Sequence, residues 1–92
     1  WSTMQAKAIN IINKLGLHAR AAARFVQLAS SYESEINISH NGKKVSGKSI
    51  MGIMMLAASK GMTIEITVAG VDEVDALTAL EDLILDKFGE DE

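Results

Sequence analysis

Gly16-Leu17-His18-Ala19-Arg20 sets a histidine two residues ahead of an arginine, where a loop gives way to a helical pattern. The opening turn of a helix leaves backbone N–H groups without acceptors, and the aligned peptide dipoles put partial positive charge there. Such a turn receives anions, phosphate among them. A positive helix end also disfavours a further positive charge, so an imidazole placed there keeps a nitrogen lone pair for nucleophilic attack. A phosphoryl group taken up on that nitrogen would meet the amides of Ala19, Arg20 and Ala21, with the forked Arg20 guanidinium for its oxygens. Gly16 permits a tight bend just before the site. The same residues also fit a plainer role, in which a ring nitrogen of His18 caps the helix and Arg20 is merely solvated. The spacing alone does not separate the two.

Ser49 precedes a second helical stretch and reads as its N-cap, the hydroxyl accepting from an N–H one turn on. That role needs no regulation. The residues that follow, Ile50, Met51, Ile53, Met54, Met55 and Leu56, are too apolar for one buried face, so some must be exposed. Scattered surface apolar groups are ordinary. Placed beside His18, however, Ile50, Met51 and Met54 suit docking of several partners, because methionine adapts to differently shaped surfaces. Arg24 and Lys48 would supply an electrostatic rim. His40, beside a turn and with no acid, base or arginine nearby in sequence, reads as a surface residue. Asp72, Glu73 and Asp75 read as a helix start favoured by the dipole.

The elements that position these groups follow from periodicity. A strand is expected over 6–12, with Ile9 and Ile11 on one face, and a loop over 13–17. A helix follows over 19–31, with Ala22, Phe25, Val26 and Ala29 as its apolar stripe. Alternating Ile36 and Ile38 give a strand over 35–39, and Asn41-Gly42 signals a type I′ hairpin into a strand over 43–46. A short helix over 49–58 stops before Gly61, and Ile64, Ile66 and Val68 mark a fourth strand over 63–68. Val74, Leu77, Leu80, Ile84 and Phe88 form the expected buried stripe of a last helix, started by Asp72 and Asp75 and ended by Gly89. The order is βαββαβα. Four short strands cannot bury both faces alone, so an α+β fold with the helices on one face of a mainly antiparallel sheet is expected.

The chain has 92 residues, 48% of them hydrophobic and 23% charged, which fits a single folded domain over 1–92. Trp1-Ser2-Thr3 reads as a leftover of cloning ahead of a start at Met4, and residues 89–92 as a flexible acidic tail. There is no cysteine, and the two histidines lie apart, so neither a disulfide framework nor a metal site is expected. A formal charge of −3 with no basic cluster beyond Lys43-Lys44 argues against nucleic-acid binding. No apolar run approaches the ~20 residues that span a bilayer, and no segment resembles a secretion signal, so a cytoplasmic protein with no membrane insertion is expected.

Two blocks carry a resemblance. Leu15-Gly16-Leu17-His18-Ala19-Arg20-Ala21-Ala22 resembles the active-site signature of the HPr family, the histidine-containing phosphocarriers of bacterial phosphotransferase systems. Gly47-Lys48-Ser49-Ile50-Met51-Gly52-Ile53-Met54 resembles that family's regulatory serine segment, and the likeness runs from about Met4 through the last helix. It implies an open-faced sandwich of four strands and three helices. It also implies a carrier that takes phosphoryl groups from phosphoenolpyruvate by way of enzyme I and delivers them to EIIA components, holding no metal or cofactor of its own. His18 matches the phosphorylated histidine, modified at Nδ1, and Arg20 the assisting arginine. Ser49 matches the serine modified by an HPr kinase/phosphorylase, and the first two helices are the family's docking elements. A monomer is expected. The family usually has proline after the arginine; here Ala21 stands there, and the chain contains no proline. A regulatory module acting through Ser49 alone is the main alternative, opposed by the retained His18 and Arg20. A ferredoxin-like ligand- or metal-binding domain is a weaker one, given the missing cysteines.

Overall fold

In a computed structural model, which describes residues 4–89, alternating isoleucines build one layer of a two-layer fold. The elements are β1 (Gln5–Asn10), α1 (Ala19–Ala29), β2 (Glu35–His40), β3 (Lys43–Ser46), α2 (Ile50–Met55), β4 (Thr63–Ala69) and α3 (Glu73–Leu85), followed by a 3-10 turn at Lys87–Gly89. The expected βαββαβα order is the observed one. The strands lie in the order β1-β4-β2-β3. Every pairing is antiparallel. Ile9, Ile36, Ile38, Ile64, Ile66 and Val68 turn one sheet face toward the helices, where Phe25, Ile53, Leu80, Ile84 and Phe88 meet them in the core. Asn41 and Gly42 have φ of 52° and 84°, the type I′ combination, and pair His40 with Lys43 across the hairpin. Trp1-Ser2-Thr3 and residues 90–92 of the expected tail lie outside the described residues.

Several boundaries differ from the periodic reading. β1 stops at Asn10, although Ile11 is still buried and its amide bonds the Met62 carbonyl at 2.9 Å. α1 ends at Ala29 rather than residue 31; Ala21 is fully buried, while Val26 is only partly so. α2 ends at Met55 instead of residue 58, and Ala57, with φ of 54°, takes the left-handed position after it. Gly61 lies further on, where its amide bonds the Ile11 carbonyl at 2.8 Å.

The last helix departs most. Val74, expected in the core, is 60% exposed, and the buried residues are Glu73, Ala76, Leu80 and Ile84. The start of α3 is set by long-range bonds. The Asp72 carboxylate accepts from the Glu33 amide (2.9 Å), the Ser34 amide (3.0 Å) and the Ser34 hydroxyl rather than capping its own helix. Glu73 turns inward, where its carboxylate accepts from the Gly70 amide at 3.3 Å. α3 also ends at Leu85, short of Phe88. Lys87 and Phe88 both take φ of 56°, which folds the fully buried Phe88 ring back into the core. Burial of one large apolar ring, worth about 2 kcal/mol, offsets part of the cost of two left-handed residues.

Candidate functional site

The loop before α1 is held from both sides. Within it, the Asn13 side-chain amide donates to the Gly16 carbonyl at 2.8 Å and the Gly16 amide to the Asn13 carbonyl at 3.2 Å. Across it, the Leu17 amide donates to the Ala58 carbonyl, in the segment after α2, at 3.0 Å. Gly16 has φ of +65°, and a Cβ there would lie 2.6 Å from the Ala58 oxygen and 2.8 Å from the Ser59 Cα. The glycine therefore serves both a left-handed turn and a backbone contact too close for any side chain.

His18 follows this pinned loop as the N-cap of α1, with φ of −78° and ψ of 179°. Its carbonyl accepts the first helical bond, from Ala22 N–H at 2.9 Å. Its ring makes no capping bond, which removes the plainer role of His18 as a side-chain cap. The ring is partly exposed, flanked by exposed Ala19 and Arg20, while Ala21 is buried. The amides of Ala19, Arg20 and Ala21 are the three first-turn groups that have no acceptor within the helix, and the turn contains no acidic residue that competes for them. An imidazole, three first-turn amides and an exposed arginine thus share one helix start, an arrangement suited to receiving an anion.

The second block lies alongside. The Ser49 hydroxyl accepts from the Gly52 amide at 3.1 Å, as a helix N-cap should. Ile50, Met51, Met54 and Met55 are 41%, 74%, 44% and 69% exposed, and Ile53 is the buried residue of α2. The apolar surplus does face outward. The two expected rim cations are tied down more than their sequence positions suggest. The Arg24 guanidinium donates to the Phe88 carbonyl, joining α1 to the C-terminal turn. Lys48 Nζ donates to the Tyr32 carbonyl at 2.8 Å. His40, expected as a plain surface residue, is partly buried, and its Nδ1 lies 3.0 Å from the Thr63 carbonyl of β4. Sequence reasoning missed Asn13, Ala58 and Ser59 as supports of the His18 loop. Asn13 acts through a local bond from its side chain to Gly16, whereas Ala58 and Ser59 act through main-chain approaches between segments about 40 residues apart, which leave no pattern in residue type. Among the described residues, no three or more His, Cys, Asp or Glu side chains gather as a metal site. No helix of the described residues is long and apolar enough to cross a membrane.

Fold and site together define a class: a small open-faced α+β protein that presents a histidine at the start of its first helix. A family model described as the PTS HPr component phosphorylation site matches residues 5–86. The phosphocarrier protein HPr of Neisseria meningitidis serogroup B is 55% identical over 97% of this chain and 100% of its own length. HPr-C-His from Thermoanaerobacter tengcongensis superimposes with a TM-score of 0.92 at 50% identity, covering 96% of this chain and 99% of that one. An HPr dimer from the same organism gives a TM-score of 0.76 at 54% identity over 89% and 94% of the two chains. The chain belongs to the HPr family, the phosphocarrier components of the bacterial phosphoenolpyruvate-dependent phosphotransferase system.

Proposed function

We propose that His18 accepts a phosphoryl group at Nδ1 from phosphorylated enzyme I, ultimately from phosphoenolpyruvate, and passes it to EIIA proteins in sugar uptake or a regulatory branch. The observation that carries this reading is the helix start itself: the His18 backbone caps α1 without a side-chain capping bond, next to three first-turn amides with no helical acceptor. In transfer, the ring nitrogen attacks phosphorus as the bond to the donor breaks. The amides of Ala19, Arg20 and Ala21 and the Arg20 guanidinium meet the oxygens of the resulting dianion. The same contacts hold the group until an EIIA nucleophile takes it. The protein is then a stoichiometric intermediate with no turnover of its own and no metal or cofactor in the reaction. Partners dock on Ile50, Met51 and Met54, with Arg24 and Lys48 at the rim, and the carrier works as a cytoplasmic monomer. The dimer seen for the Thermoanaerobacter protein makes sedimentation the direct check on that last point.

Incubation with enzyme I and phosphoenolpyruvate, followed by intact mass measurement, tests the assignment. It requires an acid-labile phosphoryl adduct that His18→Ala abolishes; an adduct persisting in that variant would overturn it.

A second use of the same surface rests on Ser49, whose partly exposed hydroxyl sits at the mouth of α2. Phosphorylation by an HPr kinase/phosphorylase would place a dianion against the docking face and oppose acidic partners. With ATP and that kinase, an acid-stable adduct should form and vanish in Ser49→Ala. If it forms while His18 is never modified, the protein is a regulatory module acting through Ser49 alone.

A further inference from the structure

The chain has no cysteine, so its five methionines are its sole sulfur chemistry, and they are unevenly placed. Met51, Met54 and Met55 lie within the six residues of α2, exposed by 74%, 44% and 69%. Thioether oxidation follows access, and these three residues are exposed. α2 is also joined to the His18 loop, since Ala58, just past its end, takes the Leu17 amide and abuts Gly16. Of the remaining two, Met62 directs its sulfur at the Ser59 amide, 3.3 Å away. Met4 lies before β1, a strand of six residues, or about 20 Å, from the end at which the His18 loop begins.

We propose that the α2 methionines are a reversible oxidation site for peroxides, and that their sulfoxides switch off docking at the phosphoryl-transfer face. The proposal rests on the carrier reading above and adds a regulation to it. A sulfur lone pair attacks one peroxide oxygen and the O–O bond breaks. The sulfur loses two electrons and gains that oxygen, while the other oxygen leaves as water. A thiol-dependent methionine sulfoxide reductase reverses the step. Each event replaces a pliant apolar tip by a strong dipole that must shed water to enter an interface. A partner that buries these tips loses both the apolar contact and the solvation of the new oxygen. The fold itself is spared, because Ile53 is the α2 side chain that reaches the core.

The test oxidises the whole protein with hydrogen peroxide, locates sulfoxides by peptide mass, and follows phosphorylation by enzyme I at limiting carrier concentration. Oxidation at Met51, Met54 and Met55 should slow acceptance about tenfold with an unchanged far-UV spectrum, and reductase treatment should restore it. A variant carrying Met51→Leu, Met54→Leu and Met55→Leu, compared with its own untreated sample, should lose the peroxide sensitivity although Met4 and Met62 remain. Unchanged acceptance by protein with confirmed α2 sulfoxides, or undiminished sensitivity in the leucine variant, would overturn the proposal and leave the carrier reading intact. Failure of the untreated protein to be phosphorylated at all would instead sink the carrier reading, and this proposal with it.

Discussion

At φ of +65°, with the Ala58 oxygen 2.6 Å from where a Cβ would sit, Gly16 lets the loop before His18 lie against the segment after α2. Gly16→Ala must therefore move backbone on one side or the other. The variant should be less stable by about 2 kcal/mol in urea denaturation and should accept phosphoryl groups at least several-fold more slowly. Wild-type behaviour on both counts would show that the loop is not held as described. Ala21 poses the opposite question, since proline is the family's usual residue there. It occupies the third helical position, where no helical bond needs its amide, and the first turn already closes through Ala22 N–H to the His18 carbonyl. Ala21→Pro exchanges one of the three amides placed for the phosphoryl oxygens for a pre-set φ, and with the Ala19 and Arg20 donors retained it should alter the rate of phosphoryl acceptance by no more than about threefold. A large gain would mean that the native turn is poorly formed without proline.

The elements were legible where the signal is local. The type I′ hairpin at Asn41-Gly42 and the Ser49 cap each depend on residues within four positions of one another, and both stand as expected. Ring placement at His18 was left open by the spacing, because whether an imidazole caps or stays clear is decided by its rotamer. The face of α3 was misread for a different reason. Hydrophobicity favours Val74 over Glu73, but Asp72 is held by Glu33 and Ser34, 39 and 38 residues earlier, and that clamp sets the rotation of the helix. It has a titration signature. The Ser34 hydroxyl foremost, then the Glu33 and Ser34 amides, hold the Asp72 carboxyl below the ordinary aspartate value of about 3.9. A lowered folded value stabilises the protein above the unfolded value, and that contribution fades as pH falls through the folded one. Asp72→Asn should therefore lower the melting temperature at neutral pH, and the gap to the wild type should narrow as pH drops below about 4. A gap of constant size would assign the loss to packing rather than to the carboxylate.

Across the whole molecule, charge is divided by position. Residues 1–60 hold eight of the nine Lys and Arg and two of the twelve Asp and Glu, a formal +6; residues 61–92 hold the remaining one and ten, a formal −9. A net charge of −3 conceals this split. The helix bearing Asp75, Glu81 and Asp82 belongs to the negative part, whereas Lys14 precedes His18 and Lys60 lies in the segment that pins the His18 loop. Cations beside the His18 loop would steer a negatively charged donor, acting on encounter rather than on the bound state. Acceptance from enzyme I, measured as a second-order rate, should then fall several-fold between about 0.05 M and 0.5 M salt. Lys14→Gln with Lys60→Gln should lower the low-salt rate and flatten that dependence, since both charges lie near the reacting face. Asp82→Asn, on α3, should leave the high-salt rate unchanged. Arg24 and Lys48 are each bonded to a backbone carbonyl, which fixes them at the rim of the docking face. A rate indifferent to salt would instead make the apolar tips of α2 the source of recognition.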